Sequence, residues 1–419
     1  MFRKILRIFT IPELRRKVLF VLAILLVFRV AAAIPVPGID PERLAAFFSG
    51  NQLFGLLNIF SGGALENLSI VMLGVGPYIT ASIILQLLTM IFPRLKELYE
   101  ETEQGRRQFN QYTRYLSVPL AALQGYGLLL LFQNERIITH LGVAGLLGNI
   151  VVVTAGTLLL MWLGELISEK GIGNGISLLI FAGIIASIPQ SLRQAYFSYT
   201  PAELPLYVAF LGVAVAVVAG IVFINDAERP IPITYAKRVR GMRMYGGVAT
   251  YLPLRVNQAG VIPIIFALSI LLFPGTIGAF LARADSQVLQ GIAGWLNGLF
   301  RNQSIYGAFY FILVVVFTYF YTSITFDPKT ISSNIQKNGG FVPGIRPGSP
   351  TTAFLSYVMN RITLAGALFL GLIAVLPILL QGSTGLSAIT IGGTSILIVV
   401  AVVLETRKQI EAQLSLYEY

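Results

Sequence analysis

The sequence runs to 419 residues, of which 55% are apolar and only 12% charged, and its mean hydropathy is +0.77. Soluble chains carry about twice that share of charge, which argues against a water-solvated enzyme. The excess of thirty Lys and Arg over nineteen Asp and Glu, +11, reads in so apolar a chain as membrane topology rather than a nucleic-acid footprint, and no DNA partner is expected. The absence of Cys removes disulfides, thiolate catalysis and Cys-ligated metals, and a single His140 cannot build a His metal site, so neither metal nor cofactor is expected.

Apolar stretches of about 20 residues, the length that crosses a bilayer, recur ten times. They lie near residues 18–35, 73–92, 116–133, 146–164, 176–188, 204–224, 260–281, 305–326, 362–381 and 387–404. The first has too long an apolar run and no small-residue cleavage site, so it reads as a retained helix rather than a signal peptide. With a cytoplasmic N-terminus, the inner segments are 1–17, 93–115, 165–175, 225–259, 327–361 and 405–419, and they hold 24 of the 30 basic residues. That bias puts both termini inside. The same segments carry 13 of the 19 acids, so the whole net charge of +11 sits on the inner face.

The stretch before span two, "NIFSGGALENLSIVMLGVGPYITASIILQLL", is interrupted by Gly62, Gly63, Gly74, Gly76 and Pro77. Residues 64–72 are too short to span and read as a re-entrant helix. Non-helical backbone at membrane depth survives only when buried in protein or facing a water-filled cavity, which points to a pore or vestibule; a simple proline kink in a packed bundle is the alternative.

Segments 225–259 and 327–361 are long for links between membrane helices, and long ordered loops tend to be functional. Each has a basic tip: "YAKRVRGMRMYGG" with Lys237, Arg238, Arg240 and Arg243, and "KNGGFVPGIRPGSP" with Lys337 and Arg346. Such clusters suit an anionic partner such as ribosomal RNA, an acidic protein surface or lipid headgroups.

The spans themselves are nearly free of ionisable groups. Arg29 falls in the outer half of span one and Glu165 at the inner end of span four, and neither forms the midplane relay that pumps and transporters place there. A protease would need a nucleophile with its base, paired Asp or HExxH, and none is present; His140 reads as an exposed loop residue. No Walker-type loop exists, so energy must come from a partner.

Eight motifs in order, "FSGGAL", "PYITASIILQLL", "QGRRQFNQYTRY", "MWLGELISEKGIGNGIS", "YAKR", "LPLRVNQAGVIPIIFA", "GGFVPGIRPG" and "GGTSILIVV", resemble the SecY family, the pore subunits of bacterial protein-conducting channels. The resemblance covers nearly the whole chain. It implies an all-α polytopic membrane protein of ten transmembrane helices in two pseudo-symmetric five-helix halves, residues 1–190 and 191–419, with a short re-entrant plug helix. The activity it implies is not enzymatic. Unfolded preproteins would pass across the plasma membrane, and transmembrane segments would leave into lipid through a lateral gate. A secondary transporter of a small solute, another fold with inverted repeats, is the alternative.

The resemblance also assigns residues. The pore ring falls on Val75, Ile79, Ile176, Ile180, Ile265 and Ile398, branched apolar groups that seal by dewetting without offering a binding site. The plug falls on Ser61 to Val71, including Gly62, Gly63, Ala64, Leu65 and Leu68. Polar gate residues are Thr80, Gln86, Gln124 and Asn257, whose interhelical hydrogen bonds would each contribute about 0.6–2 kcal/mol. The tips carrying Arg243 and Arg346 would dock the ribosome or the ATPase motor SecA. SecE, often SecG, preprotein signal sequences and membrane lipid complete the implied partners.

Overall fold

The computed structural model describes residues 11–37, 44, 61, 63–65, 67–100, 103–134, 137–138, 142–197, 201, 204–235, 238–240, 243–245, 249–281, 286–384 and 393–417. A helix stands at each of the ten expected spans: α1 (Pro12–Ala32), α2 (Gly76–Ile91), α4 (Glu103–Asn134), α5 (Val143–Lys170), α6 (Gly175–Phe197), α7 (Leu204–Asp226), α8 (Ile262–Leu281), α10 (Gln303–Thr325), α12 (Ser349–Thr384) and α13 (Gly393–Tyr417). Three shorter helices accompany them: α3 (Pro93–Glu100), α9 (Gln287–Arg301) and α11 (Pro328–Lys337). Among the described residues five helices are each long and apolar enough to cross a membrane unaided, and α2 joins them if it is taken with α3, from which it bends by 118°. The others are shorter in apolar length or carry charge: α1 holds Arg15, Arg16, Lys17 and Arg29.

Among α1 to α6, α2, α4, α5 and α6 pack in succession and α1 lies against α5 and α6; among α7 to α13, α7 packs on α13, α8 on α9 and α10, and α12 on α10, α11 and α13, with α10 against α12 the most extensive contact. The two sets meet where α8 packs on α2 and α4, and where α13 packs on α6. Proline marks the starts of helices: Pro77 sits in the first turn of α2, where its missing N–H deprives the helix of nothing. Pro119 and Pro377, by contrast, lie inside α4 and α12.

One expectation needs correction: the described residues of 61–71, and those on to Val75, form turns, with a bend at Gly63 and an isolated bridge at Ser69, rather than a short helix. Gly63 at φ +77°, Leu68 at +38° and Gly74 at +59° take the left-handed region, which no α-helix tolerates. The bundle is helical as expected, and short strands are added in the two long loops. The first long loop forms strands β1 (Glu228–Tyr235), β2 (Arg238–Arg240), β3 (Arg243–Tyr245) and β4 (Ala249–Arg255), and the second contributes β5 (Gly340–Phe341). The second loop is also shorter than expected, because α12 already begins at Ser349.

The strands join the two loops into one body. β1 pairs antiparallel with β4 over its length, and β5 pairs with β1 at Thr234 and Tyr235 alone. This explains how Pro230 and Pro232 sit in the middle strand of a sheet: where they fall, β5 does not reach, and β1 is in effect an edge. Ile231 and Leu254 point from the sheet into a cluster with Phe326, Val342, Leu355, Val358 and Met359, which seats the arm on the start of α12.

Candidate functional site: an apolar cluster and a charged arm

Six side chains from four helices, drawn from both ends of the chain, meet in the bundle. Val75 immediately precedes α2, Ile79 follows in its first turn, Ile176 and Ile180 come from α6, Ile265 from α8 and Ile398 from α13. Five are buried and Ile176 is half-buried, and all six belong to one contiguous apolar cluster. Among the described residues no Asp, Glu, Lys or Arg is buried. The cluster is therefore a dry plug of branched side chains with no charge on which an ion could dwell.

The turns from Ser61 to Val75 lie against this cluster. Ala64 and Val71 belong to it, while Leu65 and Leu68 enter a neighbouring cluster with Val36, Leu129, Phe132 and Ile137. The segment is tied to residues after α1: the Val36 amide donates to the Leu68 carbonyl (2.8 Å) and the Ile70 amide to the Ile34 carbonyl (3.0 Å). Within it, the Leu65 amide donates to Ser61 Oγ (2.9 Å) and the Ser69 amide to the Ala64 carbonyl (2.9 Å). These bonds satisfy a buried backbone that has no helical ladder. Gly62 lies outside the described residues.

A residue that sequence reading passed over supports the segment from the other side. A Cβ on Gly156, in α5, would collide with the backbone carbonyl of Ile70, with Val71 also in contact. The segment thus rests backbone to helix on α5. The available signal was weak: a glycine in an apolar run marks close helix packing only when the facing partner is known.

The expected gate residues distribute differently. α8 packs on both α2 and α4. Thr80 is buried and Gln124 half-buried. The Gln86 amide, however, donates to Ser82 Oγ on its own helix (3.0 Å). Asn257 stands before α8, at the foot of the arm, where its amide donates to Asn225 Oδ1 at the end of α7 (2.7 Å). Neither of these two bonds joins α2 or α4 to α8. Replacing Asn225 by Leu strands the buried Asn257 amide and should cost about 1–3 kcal/mol; an unchanged unfolding temperature in detergent would show that the pair contributes nothing.

Ion pairs at the same level were not foreseen. Arg114 Nε donates to Glu165 Oε1 at 2.7 Å, joining α4 to α5. Asp226 at the end of α7 pairs with Lys408 (2.9 Å) and Arg407 (3.8 Å) of α13. These five inner-face charges thus have a structural use besides setting orientation.

At the arm's tips, Lys337 closes α11 and Arg346 lies in the β5–α12 connection, both exposed. The backbone about Arg346 is fixed: its carbonyl accepts from Thr351 Oγ1 (2.9 Å), the Gly348 carbonyl accepts from Ser332 Oγ (3.0 Å), and Gly344 and Gly348 take φ of +81° and +95°. Lys237 lies outside the described residues, as does His140. Arg238, Arg240 and Arg243 are described by backbone alone, in β2 and β3, where Arg240 stands opposite Arg243.

Comparison with known proteins agrees with this geometry. A family model described as SecY matches residues 69–407. The protein translocase subunit SecY of Streptomyces galbus is 46% identical over 99% of this chain and 98% of its own length. That of Thermus thermophilus is 45% identical over 98% of this chain and 94% of its own. Among solved structures, one titled as the structure of a protein conducting channel superposes with a TM-score of 0.64 at 19% identity, covering 94% of this chain and 91% of that one. Sec61 from a canine ribosome-channel complex does so with a TM-score of 0.60 at 18% identity, with the same coverage; at these identities the likeness is one of fold.

Proposed function

The chain belongs to the SecY family, and from that premise we propose that it is the central subunit of a protein-conducting channel that passes unfolded preproteins across the plasma membrane and releases apolar segments sideways into lipid. It is not an enzyme. The observation that carries the reading is the single apolar cluster in which Val75, Ile79, Ile176, Ile180, Ile265 and Ile398 meet beside the turns of residues 61–75. Branched side chains from four helices give a seal that can widen around a passing chain of any sequence, because none of them offers it a specific bond. The absence of buried charge among the described residues disfavours an ion-coupled carrier of small solutes.

In this reading the halves are residues 1–190 and 191–419, and the gate opens where α8 leaves α2 and α4. A signal sequence, itself apolar, displaces packing of the same kind and strength. Residues 61–71 form the plug. Both termini are cytoplasmic, and the arm built from β1 to β5 projects on that side with its basic tips toward SecA or the ribosome. SecE and SecG are the small subunits alongside.

The docking assignment is tested by Arg346→Glu. The fixed, exposed loop presents a cation in a narrow range of directions, and reversing its sign across an interface costs several kcal/mol, so SecA-driven import of a signal-bearing preprotein into vesicles should fall roughly tenfold or more. Undiminished import by the variant would remove Arg346 from the docking surface.

A further inference from the structure

Helix α9 was not expected from the sequence, and its place is unusual. α8 begins beside the arm's foot and α10 ends where the chain returns toward β5, so α9 joins the far ends of both, opposite the charged arm. It packs on α8 and α10. Successive helical residues turn by about 100°. Taken in angular order around α9, exposure runs from Trp295 (66%) and Val288 (71%) through Ile292 (43%) and Leu289 (36%) to Ala293 (2%). One apolar arc therefore continues past the part that the bundle covers, and its uncovered part spans about 60° from Trp295 to Ile292.

We propose that this uncovered arc is a lipid-binding surface, and that α9 lies along the outer headgroup–acyl boundary with Trp295, Val288 and Ile292 dipped into it. Three observations select lipid over a protein partner. Both neighbours are membrane helices whose own exposed side chains, Ile277 on α8 and Phe309 and Ile312 on α10, continue the apolar surface outward. The arc holds no charge among its described residues, while polar positions and the exposed glycines lie elsewhere on the helix. A tryptophan at the edge of such an arc is the side chain that prefers the interface, with an apolar ring and a polar N–H. The anchoring has a consequence for gating: α8 is the wall that packs on α2 and α4, so its outer end moves only if α9 slides along the interface.

The chain has two tryptophans and no cysteine, which makes the surface directly readable. Trp162→Phe leaves Trp295 as the sole emitter in the full chain, reconstituted in phosphatidylcholine–phosphatidylglycerol vesicles with whatever small subunits purify with it. Its fluorescence should be shifted to the blue, largely lost on lipids brominated near the headgroup end of the acyl chain, quenched less by bromines near the chain terminus, and little affected by aqueous acrylamide. Strong acrylamide quenching without bromine quenching would place α9 in water; protection from both would place a protein partner on the arc. Either result overturns the proposal. A second measurement avoids dependence on Trp162: Val288→Cys should resist a membrane-impermeant maleimide while Gly294→Cys, on the exposed opposite side where a Cβ meets nothing within 4 Å, reacts freely. Equal labelling of the two refutes the orientation. The proposal rests on the channel reading only in requiring α8 and α10 to cross the bilayer, and preprotein import by the same vesicles tests that reading separately.

Discussion

Replacing Ile79, Ile180 and Ile398 together by Ser should turn a tight resting channel into an ion leak. The three side chains are 7%, 1% and 1% exposed and come from α2, α6 and α13, so each removes a different wall of the same dry cluster. Losing the branched carbons removes roughly 2 kcal/mol of preference for the dry state per position, at about 0.8 kcal/mol per buried CH2. The hydroxyls left behind hydrogen-bond water that the native ring excludes. Three positions together shift the wet-to-dry balance by about 6 kcal/mol, and with each 1.4 kcal/mol a factor of ten, conductance across a planar bilayer should rise by on the order of 10,000-fold. Passage of a preprotein should survive, since the ring gives it no specific bond. Unchanged resting conductance would mean that the seal lies elsewhere along the pore.

How much of this was legible beforehand varies with the range of the interaction that decides it. The spans were visible because crossing a bilayer is a demand on composition over about 20 consecutive residues. The ring was not visible in that way: an Ile in a membrane helix looks the same facing lipid or a pore, and only resemblance singled out Ile265 among its apolar neighbours. The sheet escaped because β1 carries Pro230 and Pro232 and β5 has two residues, and because the β1–β5 pairing joins segments separated by α8, α9, α10 and α11. Helix α9 escaped for a local reason. Gly291, Gly294 and Gly298 each cost a helix about 1 kcal/mol relative to Ala, a handicap offset by packing on α8 and α10. The partner of Asn257 was not foreseen because a family motif gives a position along the chain but not which neighbour, Asn225 or a gate helix, will be within 3 Å.

The support of residues 61–75 on α5 leads to the other large effect. Gly156→Leu places a side chain where the Ile70 carbonyl already lies, and the obstacle is backbone rather than the flexible end of a side chain. Helix α5 is held on both sides, by α4 and by α6, while residues 61–75 are turns anchored by a few hydrogen bonds to residues 34–36. The turns are the part that yields. Overpacking of this kind costs about 1–3 kcal/mol, enough to break the Val36–Leu68 and Ile70–Ile34 bonds and withdraw Ala64 and Val71 from the ring cluster. The ring itself stays intact, so the expected leak is intermittent: brief openings in single-channel records rather than the sustained conductance of the triple Ser variant. Gly148→Leu is the control, since it lies on the same helix and a Cβ there meets nothing within 4 Å. It should leave both stability and conductance unchanged. If Gly156→Leu is destabilised yet stays electrically silent, the turns of residues 61–75 contribute to packing alone and the ring holds the seal without them.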